Sequence, residues 1–426
     1  MRPAHLRMNV VAALTGMLLL VLAPAVDAQG PTMITLDQAI DLALVHNHAL
    51  KATRTLILQN QAQEITANLR PNPTLNFDSQ FLPVFSPSNF NTGNLSDTEQ
   101  FDAGLGYLFE RGRKRQNRLR AAQDQTAVTR AQVTDAERTL AFNVGQQFVS
   151  VLLAESTLRF ALQDLESFQQ TVDISETQYK SGYISEGDYL KIKLQLLQFQ
   201  TDVSSARLAR VQALVDLRTM LGYDAVPANY DVVGDLAYQP LPAKLEDLQT
   251  KALQDRPDYR AAALGTTAAQ SQISLAKANG KVDVNATAYY THTSGENTAS
   301  FFLSFPIAVF NRNQGEIART QYALTQAQET QASTGDVVLS DVSDAFEALR
   351  SNDEIVHLYT SGYLQEAQDS RDISEYAYKR GAASLLDFLD AERSYRAVQL
   401  AYRQALSSYM TALEQLKEAV GTRNLP

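Results

Sequence analysis

Two stretches of the chain set a glycine, a serine and an aspartate at the same spacing. One is YKSGYISEGDYLKIKLQL, residues 179–196, and the other is YKRGAASLLDFLDAERSY, residues 378–395. Both read Tyr-Lys, any residue, Gly, two more, Ser, two more, Asp, an aromatic, Leu. A glycine ending a helical run supplies the left-handed backbone that stops it. Ser-x-x-Asp then restarts a helix, the serine capping and the acid reaching back as a capping box. Gly182 with Ser185, and Gly381 with Ser384, therefore read as turn chemistry, which also accounts for Asp188 and Asp387. Asp390 is different. It follows Asp387 by three residues, so both carboxylates fall on one side of the helix, and the matching residue of the other stretch is Lys191. The turn does not need it, although the dipole of a helix start favours an acid there in any protein.

Other groups with chemical potential are sparse. His46 and His48 flank Asn47, and two spaced imidazoles in a chain with five histidines and no cysteine make neither a metal cage nor a catalytic triad. No cofactor and no resident metal are expected. Arg111, Arg113, Lys114 and Arg115 form a basic cluster, but the net charge of -10 argues against nucleic acid as a partner. Their place between a strand and a helix suits an anchor at a membrane interface.

The elements that carry these residues come twice. Setting each residue against the one 199 later aligns 174–222 with 373–421 without a gap, and 15 of the 49 pairs are identical. Upstream, TLDQAIDLAL from Thr35 parallels LEDLQTKAL from Leu245 more weakly. Each half opens with a helix, running to about Asn68 or Asn279. Two strands follow, at about 72–84 and 100–109 in the first half and about 281–292 and 299–309 in the second. Leu75, Phe77 and Phe81 alternate with polar residues, as do Phe301, Leu303 and Phe305. This period marks strands with one apolar and one polar face. The links SPSNFNTGNLSDTEQ and HTSGENT read as solvent loops. Tyr289, Tyr290, Phe301, Phe302 and Phe305 read as a membrane girdle.

A long helical segment follows in each half, from Lys114 to about Lys180 and from Gln314 to about Lys379, neither with a proline. Some 65 residues extend roughly 100 Å. Val144, Phe148, Val151, Leu158, Leu162 and Leu165 recur at three/four spacing, the mark of a coiled coil. The fold class is thus mainly α with a small β portion: long coiled-coil hairpins plus four strands. The apolar run from Val10 to Leu22, preceded by Arg2 and Arg7 and followed by APAVDAQG, reads as a signal peptide over 1–28, with repeats at 29–240 and 241–426. Four strands of membrane-spanning length cannot close a barrel, and an open sheet edge is not tolerated in lipid. A transmembrane reading therefore requires several chains. The alternative of another class is a periplasmic coiled-coil scaffold that is not a channel.

The chain resembles the TolC family of outer-membrane efflux channels over its whole exported length. TLDQAIDLALVHNHALKA, the duplicated helix–strand–strand–helix order, the strand-to-helix passages and the two turns carry the likeness. FPIAVFNRNQGEIARTQ, residues 305–321, is similar to the pattern of the CzcC-like branch, which serves heavy-metal efflux. The resemblance implies a homotrimer with a 12-stranded β-barrel among outer-membrane lipid and an α-barrel in the periplasm. It implies a periplasmic adaptor, an inner-membrane pump of the resistance-nodulation-division type, and no enzymatic activity. Gly182, Ser185, Gly381 and Ser384 would form the tips that meet the adaptor. Asp387 and Asp390 would line the periplasmic entrance as rings of three carboxylates. Drug efflux and type I protein secretion use the same fold and stay open as alternative cargoes. Many relatives carry a lipidated N-terminal cysteine; a cysteine-free chain would rely on its barrel for attachment.

Overall fold

The computed structural model describes residues 31–82 and 84–425, so the signal peptide expected at 1–28 lies outside the described residues. In chain order the first half contains β1 (Met33–Ile34), α1 (Leu36–His46), α2 (His48–Asn68), β2 (Thr74–Gln80), α3 (Thr92–Thr98), β3 (Gln100–Phe109), α4 (Lys114–Lys180) and α5 (Glu186–Leu221). The second contains β4 (Asp231–Val232), α6 (Leu245–Asp255), α7 (Pro257–Asn279), β5 (Val284–Thr293), β6 (Glu296–Ser304), α8 (Gln314–Leu358), α9 (Leu364–Lys379) and α10 (Leu385–Val420).

The opening helix of each half is in fact two helices, each pair meeting at a corner. In the first, Asn47 breaks the run; its side chain caps α2 at Leu50 N and donates to Met220 O, 3.0 Å away. In the second, Pro257 starts α7 at the position where its missing N–H costs nothing. Arg256 precedes it and is almost fully buried. Its guanidinium lies 2.5 Å from Asp258 and 2.8 Å from Asp341 and donates to Ala419 O at 3.3 Å. One side chain thus ties the α6–α7 corner to α8 and to the end of α10.

Each half builds an apolar core, and the parallel pair β1–β4 packs into the first through Ile34 and Val232. Ile40, Val144, Val151, Leu217 and Leu221 fill one, and Leu248, Val338, Val342, Leu416 and Val420 the other. Along α4 the expected seam holds at Val144, Phe148 and Val151, and Leu158 and Leu165 are half-buried. Leu162 is exposed instead. Below it, α4 is packed between α5 and α10, so the buried face widens and shifts to Ala161, Asp164, Phe168 and Val172. An α-helix drifts about 20° per heptad against a strict 3.5 repeat, which favours such a shift.

The first long helix, α4, is unbroken for 67 residues. Its counterpart is not. A five-residue π turn, Tyr359–Tyr363, separates α8 from α9, with Gly362 at φ 143°. Only glycine adopts that backbone without strain.

The four longer strands form one antiparallel sheet in the order β2-β3-β5-β6. Registers Asp78↔Asp102↔Thr291↔Thr298 and Phe77↔Ala103↔Tyr290↔Ala299 assign alternate residues to opposite faces. Leu75, Phe77, Leu105, Phe301 and Leu303 share the exposed apolar face. The other face carries Asn76, Asp78, Asp102, Thr287, Thr291 and Ser300, with Asp102 and Thr287 buried. Tyr290 and Phe301 lie on the apolar side, as a girdle requires. Tyr289 and Phe302 do not: neighbours along a strand point oppositely, and this pair meets edge-to-face at 5.8 Å on the polar side. Tyr289 lies over Gly104, where an added Cβ would fall 2.3 Å from its ring. Phe305 lies past β6, which stops at Ser304 rather than near 309, before Pro306. The β5–β6 link is also tighter than expected. Ser294 (φ 50°) and Gly295 (φ 81°) form a two-residue turn of the left-handed kind that suits hairpins. In the β2–β3 link, expected as plain loop, α3 forms.

Replacing Arg256 with Ala leaves two carboxylates and a carbonyl without their shared donor. We expect a loss of about 2–3 kcal/mol, held down because Asp341 remains half-exposed. Chemical denaturation of the purified protein checks it, with Arg256→Lys restoring only part because a lysine cannot bond in two directions as a fork.

Candidate functional site

The residues singled out by sequence gather at two ends of the molecule. At the far end of the long helices, α4 turns into α5 and α9 into α10 through the same hydrogen bonds. Gly182 N donates to Tyr179 O and Tyr183 N to Gln178 O. Gly381 N donates to Tyr378 O and Ala382 N to Ala377 O. Both glycines are left-handed, at φ 78° and 74°, and open space surrounds the site of a Cβ. These are Schellman motifs, which close the last orphan carbonyls of a helix. Three residues later Ser185 and Ser384 cap the returning helices by accepting from Asp188 N (3.1 Å) and Asp387 N (3.2 Å).

The two restarts differ in detail. Asp387 completes a capping box, accepting from Ser384 N at 3.2 Å and Ser384 Oγ at 2.7 Å. Asp188 accepts from Ser185 Oγ at 2.8 Å and lies 3.5 Å from Lys191 Nζ. Asp390 takes no part in the cap. It is exposed, and its nearest cation is Arg393 at 3.5 Å. The two carboxylates thus have separate duties: Asp387 is engaged by the backbone, and Asp390 is presented to solvent with a loosely held partner.

At the other end stands the sheet, with its apolar and polar faces and with unpaired edges at β2 and β6. On the polar face Asp102 accepts from Gln100 Nε2 at 2.8 Å and from Thr291 Oγ1, directly across from Asp78. The basic cluster lies where β3 hands over to α4, and it is less free than a lipid anchor would be. Lys114 Nζ lies 2.6 Å from Asp283 and is largely buried, and Arg111 N donates to the same carboxylate at 2.9 Å. Arg113 caps the helix from a left-handed backbone, as Asn313 does in the second half. The cluster locks one strand-to-helix passage to the other half. His46 and His48 sit on either side of the α1–α2 corner, and among the described residues no group of three His, Cys, Asp or Glu could hold a metal.

One surface escaped the sequence reading. Leu190, Leu194, Leu197, Leu208, Val211 and Val215 are exposed along α5. Their four/three spacing, with Thr201 and Ser204 filling the gaps, is a coiled-coil seam that the described residues leave exposed. The same spacing was available in the sequence.

The profile of the outer membrane efflux proteins matches residues 39–223 and 248–422, one segment in each half. The cation efflux system protein CusC of Escherichia coli K12 is 27% identical over 403 residues, covering 88% of this chain and 82% of that protein. The cobalt-zinc-cadmium resistance protein CzcC of Cupriavidus metallidurans is 21% identical over 397 residues, covering 93% and 91%. Among solved structures, a CusC crystal structure superposes with a TM-score of 0.74 at 20% identity, covering 92% of this chain and 94% of that one. With both halves matched, this chain belongs to the outer membrane efflux protein family and is an efflux channel of the outer membrane.

Proposed function

We propose that the chain is one of three identical subunits of a passive exit duct, filled by an inner-membrane pump of the resistance-nodulation-division type through a periplasmic adaptor. The observation that carries this reading is the four-stranded sheet with one apolar face, one polar face and two unpaired edges. Three such sheets joined edge to edge make a closed 12-stranded barrel, apolar toward lipid and polar toward water, which satisfies every strand edge. The open seam on α5 supports the same assembly, since it offers a neighbouring helix an apolar stripe along the periplasmic body. The duct does no chemistry of its own; transport is driven by the pump.

Metal cations are the cargo we favour. The names of CusC and CzcC describe cation efflux and cobalt-zinc-cadmium resistance. In a trimer Asp390 would supply three carboxylates at the periplasmic entrance and Asp387 three more, a cation-selecting ring. The different bonding of the two acids separates them in a test. Asp390→Asn should reduce cation selectivity and cation block in single-channel recordings while thermal stability stays unchanged. Asp387→Asn should also weaken the cap, by up to about 1 kcal/mol. Unchanged selectivity and block in the double variant would remove the ring.

The hairpin tips, Gly182–Ser185 and Gly381–Ser384, are the surface we assign to the adaptor. Gly381→Trp finds open space but pays about 1–2 kcal/mol for a left-handed backbone. Trimers should still reach the outer membrane, resistant to detergent until heated, while pump-dependent resistance to metal ions is abolished. Normal resistance would exclude tip contact, and soluble monomers of the unaltered protein would favour a scaffold.

A further inference from the structure

In the segment that joins the two halves, one side chain reaches across to the end of α8. Tyr238 lies between β4 and α6, and its hydroxyl donates to Asp353 Oδ1 at 2.6 Å. The same oxygen stands 3.0 Å from His357 Nε2, and that nitrogen stands 3.8 Å from Asp353 Oδ2. Asp353 and His357 are four residues apart, so the helix sets both on one face, one turn from each other. A carboxylate, an imidazole and a phenol thus converge, roughly 35 Å along the helix from the Gly381 tip. His357 is 62% exposed and Asp353 32%, which leaves the group open to small solutes.

The phenol is fixed from two sides. Its ring packs on Tyr409 at 5.0 Å and meets the His357 ring edge-on at 5.3 Å. Tyr409 is fully buried in the second core, and its hydroxyl donates to Gln239 O, next to Tyr238, at 2.5 Å. Metal-ligating side chains are held by supporting contacts of this kind. A clamp between linker and helix would be complete with Tyr238 and Asp353 alone and does not require the imidazole. The spacing of the three donors is that of a coordination shell. With bonds of about 2.0–2.1 Å, neighbouring ligand atoms stand about 3.4 Å apart in a tetrahedron and about 2.9 Å apart at right angles. The separations here, 2.6, 3.0 and 3.8 Å, bracket both.

We propose that Tyr238, Asp353 and His357 form a binding site for a divalent transition-metal ion, with Cu2+ held most tightly. An imidazole suits Cu2+ and Zn2+, and affinity at a given site of this kind peaks at Cu2+. Mg2+ and Ca2+ take shells of oxygen ligands and are excluded. On binding, Tyr238 Oη bonds to the cation and gives its proton to water. His357 offers Nε2 as the neutral ring with its hydrogen on Nδ1, and one oxygen of Asp353 completes three protein ligands. Water fills the remaining positions. With two ligands on α8 and one on the linker, the cation ties the junction of the halves to the helix just before the π turn. The sequence pointed away from a resident metal because its imidazoles are scattered. Here one imidazole meets donors four and 119 residues away, and the third donor is a phenol.

The test is a CuCl2 titration of the full protein, purified in detergent without a histidine tag and stripped of metal by a chelator. Visible absorption from a phenolate–copper bond should appear and saturate at one Cu2+ per chain. An excess of Mg2+ or Ca2+ should not displace it. Tyr238→Phe keeps the ring between His357 and Tyr409 but lacks the ligand atom, so the band should vanish and affinity fall about tenfold or more. Should that variant fail to fold, His357→Asn, at an exposed position, should weaken copper binding by a similar factor. His46→Gln combined with His48→Gln should leave the band unchanged. No copper binding, binding without the phenolate band, a band retained in Tyr238→Phe, or a band lost with His46 and His48 would each overturn the site. All its ligands come from one chain, and the readout uses neither pump nor trimer, so its failure is separate from that of the duct.

Discussion

A strand edge inside hydrocarbon is the constraint on which the rest of this molecule depends. Water is absent there, and each unpaired N–H or C=O costs several kcal/mol. The sheet ends at β2 on one side and β6 on the other, so a chain alone cannot be stable in lipid. Closure by identical neighbours satisfies both edges. It also fixes the helices, because α4 and α8 leave the sheet directly through the Arg113 and Asn313 caps. In the proposed trimer, joining the strands would also set the α5 seam of one chain alongside the next, so that barrel and helical body close together.

Duplication provides symmetry cheaply, and the differences between halves show where it was given up. The glycine stops at the two tips make the same hydrogen bonds, and each half builds its own apolar core. Yet one corner is made by Asn47 and the other by Arg256 and Pro257. One long helix is continuous and the other is interrupted. Asp390 faces Lys191 and Glu392 faces Lys193 in the repeat. These departures concentrate in the α9–α10 hairpin, which carries more charge and a weaker backbone than its twin.

Much of this was legible beforehand because it depends on neighbours in sequence. Period-two alternation located β2, β3, β5 and β6, and the Gly and Ser-x-x-Asp signals located the tips to the residue. What escaped depends on partners remote in sequence. Leu162 has the right spacing for the seam, but the third helix beside α4 moves the buried face past it. Tyr289 and Phe302 are aromatic like their neighbours, and only register shows that they point to the polar face, Tyr289 settling over Gly104. Gly362 looks like any glycine in a helix until its backbone angle is seen.

The two links at the outer end of the sheet are very unequal. Ser294 and Gly295 make the whole of one, whereas the β2–β3 link carries α3 and folds over it, Ser294 Oγ donating to Asp97 O at 2.8 Å. The face turned to the medium is consequently written by a single segment of the chain. An antibody, a bacteriophage or a toxin arriving from outside would read the β2–β3 link and little else. Changes there can alter what recognises the cell without touching the strands that make the pore.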